Sequence, residues 1–177
     1  TYNPNANFDD GSCLNELTVG ALGQGGIVFY IDSENEIAYV ASMENLGQFE
    51  WGCYGTTITG ADGQSIGTGY QNTLDIVAGC SETNIAASEA LDYETEGYTD
   101  WYLPSINELW VINNTIGVDG PEGDIGGFSW GEYWSSSESC CNSSSNSAKA
   151  VFFYVGNIYD SNESKNSTLR VRPIRSF

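Results

Sequence analysis

The pattern of apolar and polar positions predicts β-structure towards both ends of the chain. Residues 25–31 (Gly-Gly-Ile-Val-Phe-Tyr-Ile) and 37–41 (Ile-Ala-Tyr-Val-Ala) are two apolar runs separated by a polar turn. Two runs of this kind around a short polar segment are typical of a β-hairpin. Further strands are predicted in the C-terminal third, at residues 133–138, 148–155 and 169–175.

The middle of the chain favours helices. Apolar residues fall on one face over residues 72–78 and 84–93, which indicates two helices. A third helix is predicted to begin at Ser105, because Ser105 and Glu108 have the spacing of a capping box and the preceding Pro104 cannot continue a strand. Strands, then helices, then strands predict an α+β fold with two or three helices and long loops. We expect both chain ends to meet in one antiparallel sheet.

Three segments have no regular period and are predicted to be loops. Residues 47–69 are rich in Gly and Thr, and the segments 139–147 and 156–168 are polar. Rigid scaffolds commonly carry their binding residues on loops. We therefore expect the two polar loops to form the contact surface.

Charge excludes two classes of partner. The chain has 24 acidic and 5 basic residues, for a net charge of −19. Binding to nucleic acid or to anionic lipid depends on Lys and Arg near phosphates, so neither partner is expected. No apolar run reaches the roughly 18–20 residues of a membrane span. The acidity fits either a solvated surface or a cation-binding one, and both interpretations stay open.

The chain has five cysteines and no histidine. With neither histidine nor a C-x-x-C pair, zinc sites are not expected. Without histidine, nucleophilic catalysis with a histidine base is not expected either. Cys53 and Cys80 each lie in loop-like sequence and are candidate disulfide partners, which favours an oxidising, extracellular setting. The odd count leaves one thiol that is free or is paired outside this chain.

Residues 1–16 differ from the rest of the chain in their residue pattern. Side-chain oxygens alternate along this segment, as they do in calcium-binding loops, although an Asp stands where such loops place Gly. Calcium ligation and an ordered turn rich in Asn and Asp are both open interpretations. The segment also resembles the end of a short Cys-bounded linker repeat of secreted marine bacterial proteins, which implies that the domain proper spans residues 17–177. The candidate calcium ligands are Asn5, Asn7, Asp9 and Asp10.

Four motifs occur in an order that is familiar from one family. They are Gly-Ile-Val-Phe-Tyr at 26–30, Asp-Trp-Tyr-Leu-Pro-Ser at 100–105, Tyr-Trp-Ser-Ser-Ser-Glu at 133–138 and Val-Arg-Pro-Ile-Arg-Ser-Phe at 171–177. Together they resemble the Lcl C-terminal-like domain, a bacterial family found at the ends of collagen-like adhesins. The resemblance implies a C-type-lectin-like fold and assembly as a homo-oligomer, either a trimer or a fibre.

Related domains include the variable proteins of diversity-generating retroelements, in which the segment before a similar Arg-Pro ending is diversified. The corresponding stretch here is residues 139–168, which is rich in Ser and Asn. It is consistent with a diversified ligand surface and equally with an ordinary polar loop. The candidate ligand-binding residues in this stretch are Cys140, Cys141, Asn142, Asn157, Tyr159, Asp160, Asn162 and Asn166.

The formylglycine-generating enzymes also share this fold and a similar Leu-Pro segment. They use two cysteines a few residues apart, whereas Cys140 and Cys141 are adjacent here. That activity is therefore not expected.

These observations predict an extracellular, non-enzymatic binding or attachment module, with a glycan or a protein on a cell surface as its ligand. Calcium is the only candidate cofactor, and neither nucleic-acid binding nor membrane insertion is expected. The alternative is a structural subunit of a surface fibre or filament that is held together by self-association.

Overall fold

The computed structural model describes residues 17–139, 145–154, 156 and 159–177, which form an α+β fold. The helices are α1 (Gly69–Gly79), α2 (Ala86–Leu91) and α3 (Ile106–Thr115). The strands are β1 (Leu22–Gly23), β2 (Gly26–Asp32), β3 (Ile37–Ser42), β4 (Gly47–Glu50), β5 (Gly131–Glu138), β6 (Ser147–Phe153), β7 (Tyr159–Ser164), β8 (Thr168–Val171) and β9 (Ile174–Ser176).

The first sheet joins the two ends of the domain. Its strand order is β1-β2-β3-β9. The predicted hairpin is confirmed as β2 and β3, which pair antiparallel with Asp32 opposite Ile37 at the turn. The last strand, β9, pairs antiparallel with β3, with Arg175 opposite Val40. The prediction that N-terminal and C-terminal strands share a sheet is therefore confirmed.

A second sheet of five strands, in the order β4-β8-β5-β6-β7, was not anticipated from the sequence. Its pairs are antiparallel except β5 with β8, which are parallel at Tyr133 and Arg170. The run predicted as one strand over 169–175 is divided between the two sheets, because the chain leaves the second sheet after Val171 and enters the first at Ile174. Pro173 lies at the crossing, where its missing N–H costs no ladder hydrogen bond.

Two of the predicted loops contain strands. Residues 47–50 form β4, which pairs with β8, and residues 159–164 form β7, which pairs with β6 along its whole length. Both are edge strands with little apolar alternation, so no strand was predicted for them. Pairing of the backbone with a neighbouring strand decides their conformation.

The three predicted helices are present, with different bounds for the first two. Helix α1 is longer than the predicted 72–78 and α2 is shorter than the predicted 84–93. Helix α3 begins as predicted: the Ser105 hydroxyl accepts a hydrogen bond from the Glu108 N–H at 3.3 Å, and the Glu108 carboxylate accepts one from the Ser105 N–H at 2.6 Å.

Strand β5 lies between the two largest apolar clusters. Trp134 packs in one of them with Trp51, Ile76 and Leu103. Tyr133 packs in the other, which contains α3 residues and the aromatic rings of β2 and β6. Because adjacent side chains of a strand point to opposite faces, these two neighbours connect both halves of the core.

The disulfide predicted between Cys53 and Cys80 is present, with the two Cα atoms 5.7 Å apart. It links the segment after β4 to the residue that ends α1. The bond spans a sequence separation of 27 residues, and a cross-link of this length restricts the unfolded chain.

Replacing both cysteines by Ala should lower the free energy of unfolding by about 3–4 kcal/mol, the chain-entropy value for a loop of this length. Urea denaturation followed by tryptophan fluorescence measures it. The single variant C53A should lose nearly as much as C53A/C80A, since either change removes the same bond. An unchanged midpoint in both variants would contradict a stabilising role.

Arg172 ties three segments together from inside the protein. Its side chain is 1% exposed, and its guanidinium donates hydrogen bonds to the backbone oxygens of Ser42, Gly126 and Gly127 at 2.6–3.1 Å. The Asn45 side chain accepts a fourth hydrogen bond at 2.9 Å. The guanidinium also lies 4.2 Å from the centre of the Phe128 ring.

Replacing Arg172 with Ala should lower the free energy of unfolding by about 3 kcal/mol, because the buried carbonyl groups of Ser42 and Gly126 lose their charged donor. R172K should also be destabilised, since an ammonium group cannot reproduce the planar fork of donors. Thermal and urea melts of both variants measure this. A lysine variant as stable as the wild type would show that charge, and not geometry, is what matters at this position.

Candidate ligand-binding face

A group of solvent-exposed aromatic side chains lies on the outer part of the second sheet. We call it the aromatic strip, and it consists of Trp130, Phe152, Tyr154 and Tyr159. Trp130 is 62% exposed, Tyr154 39% and Tyr159 44%, while Phe152 is half-buried between them. Contiguous exposed apolar surface on a soluble domain commonly marks an interaction site.

Strand register places these rings on one face. Phe152 of β6 lies opposite Glu132 of β5 on one side and opposite Tyr159 of β7 on the other. Directly opposed residues share a face, as do residues two apart along a strand, so Tyr154 lies on this face and Trp130 continues it just before β5. The intervening Phe153 points the other way and is buried against the core.

The rings of the strip support one another. The centres of Phe152 and Tyr159 are 5.3 Å apart with planes inclined by 20°, and those of Phe152 and Tyr154 are 6.1 Å apart with an inclination of 26°. The Trp130 ring meets Tyr154 edge to face at 5.1 Å. Aromatic pairs at these distances attract by about 0.5–1.5 kcal/mol each beyond simple burial. The strip is thus largely organised before any ligand arrives.

Two carboxyl groups lie beside the strip. The Ser161 hydroxyl donates a hydrogen bond to the Glu132 carboxylate at 3.4 Å, and Glu163 interacts with the same group. Burial raises the pKa of Glu132, and the negative charge of Glu163 raises this pKa further. The neighbourhood of the strip therefore carries negative charge that is not neutralised within the protein.

None of the five basic residues of the chain lies on this face. Arg172 and Lys165 are buried, and Arg175 forms an ion pair with Asp100. Lys149 of β6 points to the opposite face, since it lies three positions before Phe152. Arg170 lies opposite Tyr133, also on the other face, where a Cβ at Gly131 would overlap its guanidinium.

The structure separates the ligand-binding residues predicted from the sequence. Tyr159 belongs to the aromatic strip. Asp160 and Asn162 alternate with it and point to the opposite face, where Asp160 pairs with Lys149 at 3.6 Å and Asn162 accepts a hydrogen bond from Ser139 at 2.7 Å. Asn166 lies beyond the other end of β7 and accepts a hydrogen bond from Ser164 at 2.7 Å. Cys140, Cys141, Asn142 and Asn157 lie outside the described residues.

Most of this face was missed by sequence reasoning. Phe152 and Tyr154 were assigned only to a strand, and Trp130 and Glu132 to no site. The available signal was the run of aromatic residues 152–154, because alternation along a strand places Phe152 and Tyr154 on the face opposite Phe153. Its pairing with Tyr159 depends on the register of β6 and β7, which the sequence does not specify.

One group of three residues consists of types that can bind a metal ion, but its cysteines are not available as ligands. Cys53, Cys80 and Glu82 have ligand atoms within 4.8 Å of one another. The two cysteines are joined in the disulfide and cannot act as thiolate ligands, and Glu82 accepts a hydrogen bond from the Cys53 N–H at 2.8 Å. The predicted calcium ligands Asn5, Asn7, Asp9 and Asp10 lie outside the described residues.

No family model matches the chain, and no curated protein matches it. Among the described residues, no helix has the length and apolar character needed to cross a membrane.

The pKa of Glu132 gives a testable pH dependence. A carboxyl group whose pKa is raised by folding favours the folded state when it is protonated, so this contribution is lost as the pH rises above the ordinary Glu value of about 4.3. E132Q should therefore melt at a higher temperature than the wild type at neutral pH, and this difference should shrink towards about pH 4.

The control for this prediction is E34Q, which removes an exposed carboxylate from the β2–β3 turn. Melting temperatures of the three proteins across the pH range decide the matter. A gain in E132Q that does not depend on pH would show that the Glu132 charge is not the cause.

Proposed function

We propose that this chain is an extracellular, non-enzymatic attachment module with a C-type-lectin-like fold, which binds a cell-surface glycan at the aromatic strip. The observation that carries the proposal is the exposure of three large aromatic rings, organised by their neighbours, on a rigid sheet. The motif order that resembles the Lcl C-terminal-like domain supports the fold assignment.

A glycan suits the chemistry of this face. Sugar rings present C–H groups that carry partial positive charge, and these pack against the negative faces of aromatic rings. Sugar hydroxyl groups need hydrogen-bond partners, which the Glu132 and Ser161 side chains supply next to the rings. A face with both kinds of group can hold the apolar and polar sides of one sugar chain.

The carboxyl pair does not support catalysis of glycoside cleavage. Glycosidases place their two carboxyl groups about 5–10 Å apart, on either side of the bond that is broken. Glu132 and Glu163 lie together on one face of the second sheet, where the negative charge of Glu163 raises the pKa of Glu132. Binding without chemistry is the function that fits this arrangement.

Two properties support an extracellular location. The chain has a disulfide, Cys53–Cys80. Disulfides persist in oxidising compartments and are rare in the reducing cytosol. A net charge of −19 keeps the domain soluble and repels anionic membranes and nucleic acids.

Removing exposed rings of the strip should weaken binding and leave the fold intact. W130A, Y154A and the double variant should reduce binding to a glycan array of neutral, acidic and amino sugars by at least about tenfold, because each removes an exposed contact ring. Circular dichroism should show unchanged folding, since Trp130 and Tyr154 lie at the surface.

The matched control is Y54A, which removes a tyrosine that is 53% exposed and lies outside the strip. It should bind like the wild type. Binding that survives loss of both strip residues would place the site elsewhere. No binding by the wild type, together with concentration-dependent self-association, would favour the structural-subunit alternative.

A further inference from the structure

We propose that the glycan bound at the aromatic strip carries protonated amino groups, which lie against the aromatic rings and the carboxylates of Glu132 and Glu163. This inference rests on the proposed function and adds the charge of the ligand to it. It is carried by charge complementarity at an exposed face that nothing in the described part of the chain covers.

The first argument is the complete assignment of the positive charges. The chain has five basic residues, and all five are placed in the structure. Two are buried, one pairs with Asp100, and the other two point away from the strip face. An anionic glycan would therefore meet no cation at the strip and would be repelled by its acidic surroundings.

The second argument is the pair of carboxyl groups at the strip. Glu132 and Glu163 approach each other without a basic residue between them, and the negative charge of Glu163 disfavours ionisation of Glu132. A cationic group that binds beside them relieves this repulsion, which a neutral hydroxyl does not. The site thus gains more from an ammonium group than from any uncharged substituent at the same position.

The aromatic rings favour the same charge. An ammonium group within about 6 Å of a Trp or Tyr ring centre is attracted by the negative face of the ring. Within the protein, this chain already uses such contacts: Arg175 lies 4.1 Å from the Tyr98 ring centre and Lys165 lies 4.5 Å from that of Trp51. The exposed rings of the strip have no cation of the protein beside them.

A matched pair of sugar oligomers tests the charge of the ligand directly. Glucosamine oligomers and N-acetylglucosamine oligomers of equal length have the same rings and linkages and differ in whether the nitrogen can be charged. At about pH 6, an amine with an ordinary α-amino pKa is protonated and a typical carboxyl group is ionised. Titration calorimetry with the folded protein gives both dissociation constants.

The wild type should bind the glucosamine oligomer at least about tenfold more tightly than the acetylated one. E132Q and E163Q should reduce this preference several-fold while they retain binding to the acetylated oligomer, and W130A should weaken both. E34Q should behave like the wild type, because it removes one charge of the same sign away from the strip.

Other outcomes separate this inference from the proposed function. Equal binding of both oligomers that depends on Trp130 would overturn the inference and leave a glycan site. An equal loss of preference in E34Q and E132Q would overturn it too, since the overall charge would then be responsible. If lysine oligomers bind as tightly, with the same dependence on Glu132, the site recognises ammonium groups and not a sugar. If neither sugar oligomer binds and the glycan array is also negative, both proposals fail.

Discussion

The passage of the chain from one sheet to the other at Arg172 and Pro173 is the constraint on which this structure depends. At that point the backbone leaves β8, whose strand pairs lie in the second sheet, and enters β9 in the first. The buried guanidinium of Arg172 donates to the end of β3 and to the loop before β5, so that one side chain fixes both sheets and that loop. The chain has few cations, and because Arg172 is buried as a hydrogen-bond donor, its positive charge does not lie on the surface.

The position of β5 follows from this arrangement and determines the aromatic strip. Tyr133 and Trp134 pack into two different apolar clusters, which holds the strand on both faces. Strand β6 still packs in the core and β7 forms the edge of the sheet, and towards the end of this pair of strands the face that bears Phe152 and Tyr159 meets solvent. Rings on such a sheet lose little conformational freedom on binding, which is one reason that Tyr and Trp are frequent in binding surfaces.

The distribution of charge gives this surface its character. Lys165 is fully buried with Glu138, and its ammonium also donates to the Thr56 carbonyl at 2.6 Å. Arg175 holds Asp100 at the end of the first sheet. Because the few cations have structural roles, the acidic residues of the surface stay without partners of opposite charge over most of the molecule. The carboxyl groups of Glu132 and Glu163 are one case of this, placed next to exposed rings.

The sequence by itself determined the local features, which are the β2–β3 hairpin and the capping box of Ser105 and Glu108. Each depends on residues whose types restrict the nearby backbone, so a linear pattern is enough to indicate it. The sequence offered Cys53 and Cys80 only as candidate partners, and the fold decided their bond by bringing the two Cα atoms to 5.7 Å. The tertiary structure alone decided three other features. They are the strands β4 and β7, the division of 169–175 between two sheets, and the grouping of Trp130, Phe152, Tyr154 and Tyr159. Strand β4 obtains its hydrogen bonds from β8, which is distant in the sequence. For β7, a change of one residue in its register with β6 would turn Tyr159 to the opposite face.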